Sequence, residues 1–396
     1  MSSKKVYIID KLVIGYNHVV FNAAISAIIA NLYQGKETVF IAEALHTKVI
    51  ANKNAQINSL TYAPYQEETL PSSKVNKLIP WVKKKIGDAL FINTLFKQSF
   101  KDAEAIFFTC LSASTLFFAG YKAKHSLKPV YFFLHGEVEY IYLNNLSKAK
   151  KLKGRLYESF LRGLGRNVKI IVLSEITKKR LIEDKYVDVG QIMSIEHPII
   201  ATEANIQKQV LNQQIAFGHI GTAMSQKSSQ LFFELPKYHA VSIKNKLITF
   251  KLIGKLEHGF KAADKHLLEI VGAGDTSLSQ SEYEVAVNSI DYAVFTFTGE
   301  NYVHRISGAV MDAILFLKPV IALRHTYFNH LFETAGNIGF LCHDMNDLNE
   351  CINKIANKDE HLIAQYEMQK ANLELLRESL SVESSQVAMR TALNIL

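Results

Sequence analysis

Residues 302–323, YVHRISGAVMDAILFLKPVIAL, decide how this chain is read. A short polar step, Arg305, Ile306, Ser307 and Gly308, leads into an apolar run of helical length. That run stops at Lys318 and Pro319 and passes into a β-branched segment. A helix that only fills a core has no use for an Arg-x-Ser-Gly start. A helix whose first turn receives an anion does. Serine is a favoured N-cap, and glycine lets another group approach the backbone. The unpaired N–H groups and the helix dipole then form an anion site. Arg305 adds a bidentate, charge-assisted contact suited to a phosphate. Asp312 lies five residues past Ser307, where a carboxylate can accept hydrogen bonds from a ribose. The plainer alternative makes Ser307 a simple cap and Asp312 an exposed helix residue.

Working outward, short runs rich in Val, Ile and Phe alternate with helical patterns. Residues 6–10 (VYIID), 38–42 (TVFIA), 105–109 (AIFFT), 130–134 (VYFFL) and 169–173 (KIIVL) read as buried strands. So do 215–220 (IAFGHI), 248–253 (ITFKLI), 292–297 (YAVFTF) and 319–323 (PVIAL). Such runs belong to parallel sheets covered on both faces by helices. The expected fold class is α/β, with two Rossmann-like, doubly wound domains facing a central cleft. An N-terminal domain spans 1–200, a C-terminal domain 201–372, and a terminal helix, 373–396, packs back on the first domain. Ligands of such sheets bind outside the carboxyl ends of the strands, so the chemistry is sought in the loops there.

The totals narrow the class. The 396 residues suffice for two domains. The charged fraction of 21% and hydrophobic fraction of 48% are those of a globular chain. No apolar run of membrane-spanning length and no secretory signal pattern occurs, which points to the cytoplasm. Three scattered cysteines offer neither a disulfide framework nor a metal knuckle. Charge is uneven: residues 1–200 hold 28 Lys and Arg against 16 Asp and Glu, whereas 201–396 hold 17 against 21. The first half is therefore expected to meet something anionic.

A second constellation follows the first strand of the second half. Residues 218–228, GHIGTAMSQKS, form a glycine-containing turn from strand to helix with Lys227 near its end. Backbone N–H groups at Gly221 and an ammonium there suit a diphosphate. Lys255, just after the next strand, reaches the same mouth. The alternative is a turn whose Gly and Lys serve geometry and solvation. The loop lacks the GxxxxGK[ST] pattern of a P-loop.

The succession of Gly218 to Lys227, then KLIGKL, SQSEYEVAVNSIDYAVFTF and SGAVMDAILFLKPVIAL, resembles the C-terminal domain of GT-B fold glycosyltransferases. The likeness covers about residues 215–345 and is greatest to enzymes of bacterial cell-surface polysaccharide and lipopolysaccharide synthesis. It implies that Lys227 contacts a donor diphosphate and that Asp312, at the second Glu of the family's E-x7-E, keeps the ribose role. The family's first Glu falls at His304, and its arginine position holds His219. The segment 317–321 (LKPVI) matches the family's G-K-P-V-I without the glycine. The resemblance implies a UDP- or GDP-linked sugar as donor and no cofactor. No D-x-D pair is present for a cation, so a metal-independent transferase of the hexosyltransferase class is expected.

In the first half, His135 and Glu137 follow the strand 130–134 and are the catalytic candidates. Either acts as a base on an acceptor hydroxyl in an inverting reaction, or binds a sugar in a retaining one. The bland reading is a solvated polar loop. Asn17 and His18, after the first strand, are the acceptor-binding candidates, with Asp10 at the strand's end. Residues 146–166, LSKAKKLKGRLYESFLRGLGR, read as a basic amphipathic helix. Together with Lys83, Lys84 and Lys85 beside Trp81, they suggest an anionic membrane surface, the alternative being a helix packed on the sheet. No nucleic-acid module accompanies the basic residues. The expected activity is transfer of a sugar from a nucleotide sugar to a glycan or lipid-linked acceptor at the inner face of the membrane. A nucleotide-sugar 2-epimerase and a non-catalytic binding subunit are the rivals.

Overall fold

The computed structural model describes residues 4–66, 78–143, 146–201, 211–261, 265–272, 274, 278–297 and 306–395, with only the backbone at 78, 80 and 137. Two compact units form. One comprises Met1–Ile200 with Val382–Leu396, the other Ala201–Ser381.

In the first unit the strands are β1 (Lys5–Asp10), β2 (Thr38–Glu43), β3 (Leu60–Tyr65), β4 (Ala103–Cys110), β5 (Val130–Leu134), β6 (Val168–Val172) and β7 (Ile192–Ser194). They pair in parallel in the order β3-β2-β1-β4-β5-β6-β7. Its helices are α1 (Val19–Leu32), α2 (Ala44–Lys53), α3 (Leu78–Lys97), α4 (Ala113–Lys124), α5 (Lys148–Arg162) and α6 (Glu175–Glu183). The second unit holds β8 (Ile215–Ile220), β9 (Ile248–Ile253), β10 (Glu269–Val271), β11 (Tyr292–Phe295), β12 (Val320–Leu323) and β13 (Gly339–Cys342), ordered β10-β9-β8-β11-β12-β13. Around them lie α7 (Ser229–Tyr238), α8 (Ala240–Lys244), α9 (Gln280–Asn288), α10 (Gly308–Leu315), α11 (Thr326–Ala335), α12 (Met345–Ala356) and α13 (Glu360–Ser379). A last helix, α14 (Val382–Leu393), belongs to the first unit.

Both sheets are doubly wound, and the strand order turns back between β1 and β4 and between β8 and β11. Those crevices are where such sheets hold ligands. The central strands are buried along their length, which is why they read as unbroken apolar runs. Strands β3, β10 and β13 lie at sheet edges and β7 is three residues long. Edge strands need only one covered side, so β3 carries exposed Thr61 and even Pro64, and the apolar pattern misses it.

The LKPVI segment is a structural device. Lys318 is buried, and its Nζ donates to Asn288 O (2.9 Å) and Ile290 O (2.8 Å) at the end of α9. Burial pushes its ammonium down to about 7, against the pull of the Asp291 carboxylate. The lysine thus ties the start of β12 to the α9–β11 turn by satisfying carbonyls that a helix end leaves open.

Candidate functional site

In the second unit the site begins at the end of β8. Gly221 has φ 88°, and its N–H donates to Ile253 O at 2.7 Å. Gly254 faces it so closely that a Cβ there would lie 2.4 Å from Gly221 O, so a side chain at 254 is excluded. Ala223 then pairs with the next loop, donating to Lys255 O at 2.8 Å. This holds Lys255 beside the turn through its backbone. After the short 3-10 turn Ser225–Lys227, Ser228 adopts a left-handed conformation (φ 50°) and its carbonyl accepts from Thr296 Oγ1 at 3.1 Å.

These constraints bring Lys227 back over Gly221. Its Nζ lies 3.5 Å from the position a Gly221 Cβ would take, and Ala309 Cβ, in the first turn of α10, lies 3.7 Å from the same point. The ladder of α10 starts with Val310 N and Met311 N donating to Ser307 O, which leaves the Gly308 and Ala309 N–H groups ahead of it. Ser307 is buried at the N-cap position without capping the helix through its side chain. Gly308 faces open space. An ammonium and a helix start therefore meet at the switch point, an arrangement that suits a phosphate.

Asp312 sits one turn deeper and accepts from Tyr283 Oη at 2.5 Å. Burial raises its carboxyl to about 6, while the Tyr283 hydroxyl and the Lys227 charge oppose that rise. Tyr283 itself is pushed well above the usual phenol range by burial and by the carboxylate. Its role is invisible in the sequence, since it stands between Glu282 and Glu284 like any helix-surface tyrosine. His219 points away from this chemistry. Its Nε2 lies 2.9 Å from Ser229 Oγ and its ring packs on Phe232. Burial, and next the Lys227 charge, lower it to about 3, so it is neutral near pH 7 and brings no charge to a phosphate. Arg305 and His304 lie outside the described residues.

In the first unit the loop after β1 is held by a buried network. Asp10 Oδ1 accepts from Leu12 N (3.0 Å) and Val13 N (2.8 Å), and Asn22 Nδ2 donates to Asp10 Oδ2 (2.7 Å). Asn22 Nδ2 also lies 2.9 Å from His46 Nε2, and His46 Nδ1 is 2.7 Å from Gly15 O. A carbonyl accepts only, so His46 carries its proton on Nδ1. Asp10 thus shapes the loop from beneath. Asn17 is exposed and donates to Ile14 O at 3.3 Å. His18, exposed and left-handed (φ 51°), sets its ring edge-on to His135 at 5.2 Å.

His135 follows β5. Its Nε2 lies 3.1 Å from Thr109 O and 3.4 Å from Cys110 Sγ, and Phe21 packs on the ring at 4.6 Å. The carbonyl assigns the proton to Nε2 and leaves Nδ1 with the lone pair. Burial, then the His18 and His197 charges, hold the imidazole well below its ordinary value, so it is neutral and its Nδ1 lone pair is open to a hydrogen bond. His197, pushed down to about 4 by burial first and by His18, completes a histidine cluster that sequence spacing does not reveal. The Glu137 side chain lies outside the described residues. Among the described residues, His18, Cys110 and His135 place one ligand atom each within 4.8 Å of one another. That sulfur and imidazole set suits zinc and contains no carboxylate of the kind that holds magnesium on a diphosphate.

No protein-family model and no curated protein matches the chain in sequence. Solved structures do match it in fold. A glycosyltransferase from Rickettsia africae aligns over 100% of this chain and 99% of its own, at 13% identity and TM-score 0.63. A trehalose-6-phosphate protein from E. coli bound with UDP-2-fluoro glucose aligns over 99% of both chains, at 10% identity and TM-score 0.65. WaaG, a glycosyltransferase involved in lipopolysaccharide biosynthesis, aligns over 98% of this chain and 99% of its own, at 13% identity and TM-score 0.55. With two doubly wound parallel sheets and these structural neighbours, the chain has the GT-B fold of glycosyltransferases.

Proposed function

We propose that this protein is a glycosyltransferase that moves a sugar from a UDP- or GDP-linked donor to a glycan or lipid-linked acceptor in cell-surface polysaccharide synthesis. One observation carries the reading: Lys227 Nζ and the first turn of α10 meet over Gly221 at the strand-order switch of the second unit. A departing nucleoside diphosphate gathers negative charge, and an ammonium with a helix start neutralises it without a metal. In this reading Lys227, Lys255, Ser307 and Gly308 bind the donor's phosphates over Gly221, whose own N–H is taken by Ile253 O, with Arg305 as the second cation. Asp312, steadied by Tyr283, accepts from the ribose. His135 takes the acceptor's proton at Nδ1 if the displacement inverts, or holds the transferred sugar if it retains. Glu137 is its partner candidate, and Asn17 and His18 contact the acceptor. The acceptor is presented at the inner face of the membrane.

The test is a thermal-shift panel of UDP, GDP, CDP and their sugars. One diphosphate is expected to raise Tm, by linkage of binding to folding. Lys227→Ala is expected to abolish the shift while changing the unliganded Tm little. Absence of a shift with every nucleotide would overturn the donor site. Transfer by the purified protein is expected to persist in EDTA, and loss of activity restored by Mg2+ would refute the metal-free mechanism. Product analysis without acceptor separates transfer from 2-epimerisation, which consumes donor alone.

A further inference from the structure

The basic helix α5 does not keep its apolar stripe for a partner. Phe160 is buried, and Leu156 and Leu164 pack against the first unit's core. Gly154 seats the helix so tightly that a Cβ there would lie 2.3 Å from Tyr140 O. What α5 leaves outside is Lys148, Lys151, Lys153 and Arg155, with Leu152 among them.

The unpartnered apolar face is on α3. This helix buries Asp88, Ile92 and Leu95, and Asp88 is met there by Lys11 (3.3 Å) and Lys85 (3.7 Å). Its other side presents Ile79 (55% exposed), Val82 (39%), Ile86 (55%) and Leu90 (61%). Steps of three, four and four residues place these on one face of the helix. Trp81 is 53% exposed at the same end. Among the described residues of α3, the exposed charge beside this face is positive. Exposed Lys83 lies one turn from Ile79 on α3 itself, and Lys153 of α5 is near enough to act on the Lys85 ammonium. Asp88 is the sole acid between residues 78 and 97, and it is spent inside; α5 carries one acid, Glu158, paired with Arg162 at 3.1 Å.

An apolar stripe bordered by cations, whose own helix buries its one acid, complements an anionic lipid surface. We infer that the exposed face of α3, with Lys83 on it and Lys153 of α5 near it, lies on an anionic bilayer with Ile79, Val82, Ile86 and Leu90 among the acyl chains. This rests on the reading that the acceptor is held at a membrane. No helix among the described residues is long and apolar enough to cross one, so the contact is from one side.

Trp81 is the chain's single tryptophan, so its emission reports on this helix alone. The test mixes the full-length protein, without donor, with phosphatidylcholine vesicles or with vesicles containing equal parts of phosphatidylglycerol. A blue shift and quenching by brominated acyl chains are expected only with the anionic vesicles. The double variant Ile86→Glu and Leu90→Glu is expected to lose binding at least about tenfold with an unchanged circular dichroism spectrum. Lys83→Gln and Lys153→Gln are each expected to weaken it about fivefold. The inference is overturned by no response to either vesicle, by equal response to both, or by full binding in the double variant. It is equally overturned if light scattering shows a dimer that the double variant dissolves, since a second copy would then cover the face. Because no donor is present, failure here leaves the nucleotide test untouched.

Discussion

Asp312 is a residue the fold holds at a cost. A carboxyl raised from its ordinary value to about 6 disfavours the charged form in the native state. The native state therefore binds the extra proton between the unfolded value near 4 and about 6. Stability from this group falls as pH rises through that window and stays reduced above it. Asp312→Asn is expected to be more stable than the parent at pH 7 by about 1–2 kcal/mol and nearly equal to it at pH 4, checked by denaturant unfolding at both values. The same variant is expected to lose most of the Tm shift given by a nucleoside diphosphate but not that given by pyrophosphate, since only the former has a ribose. A carboxylate kept against stability beside a lysine is what a binding site requires and a core does not.

At the scale of elements, close approach between loops decides whether the phosphate turn exists. Gly254 has φ 141° and no room for a Cβ against Gly221 O. Gly254→Ala is expected to cost about 2–4 kcal/mol and to displace the Gly221 turn from under Lys227. A variant that unfolds at the parent's temperature and keeps its nucleotide shift would refute this account of the turn. Helix α1 poses the complementary problem. Twelve of its fourteen residues are buried, as an apolar run without a polar face demands. One side meets the sheet. The other is covered by α14, which buries Met389 and Leu393. The second cover comes from the far end of the chain.

For the molecule as a whole, the first unit is therefore built from both ends of the sequence. Removing residues 382–396 is expected to lower the first unit's stability by about 2–5 kcal/mol, the range for uncovering two large buried side chains. Hydrogen exchange should then quicken in α1 while β8 and β9 remain protected. Equal exchange in α1 with and without the segment would show that α14 is dispensable. The central strands, the parallel winding and the likeness to GT-B transferases were legible because parallel strands are buried on both faces and leave unbroken apolar runs. The turn at Gly221–Lys227 and the helix start at Gly308 were legible because turn and helix-start chemistry is local. Local chemistry carries no information about which distant groups will share a site. Only tertiary structure joined Tyr283 to Asp312, gathered His135 and His197 around Phe21 with His18 against His135, turned His219 into the core, and left α3 rather than α5 with an uncovered apolar face. Those outcomes depend on which surfaces pack against one another, and burial is settled by the folded chain as a whole, not by any stretch of it.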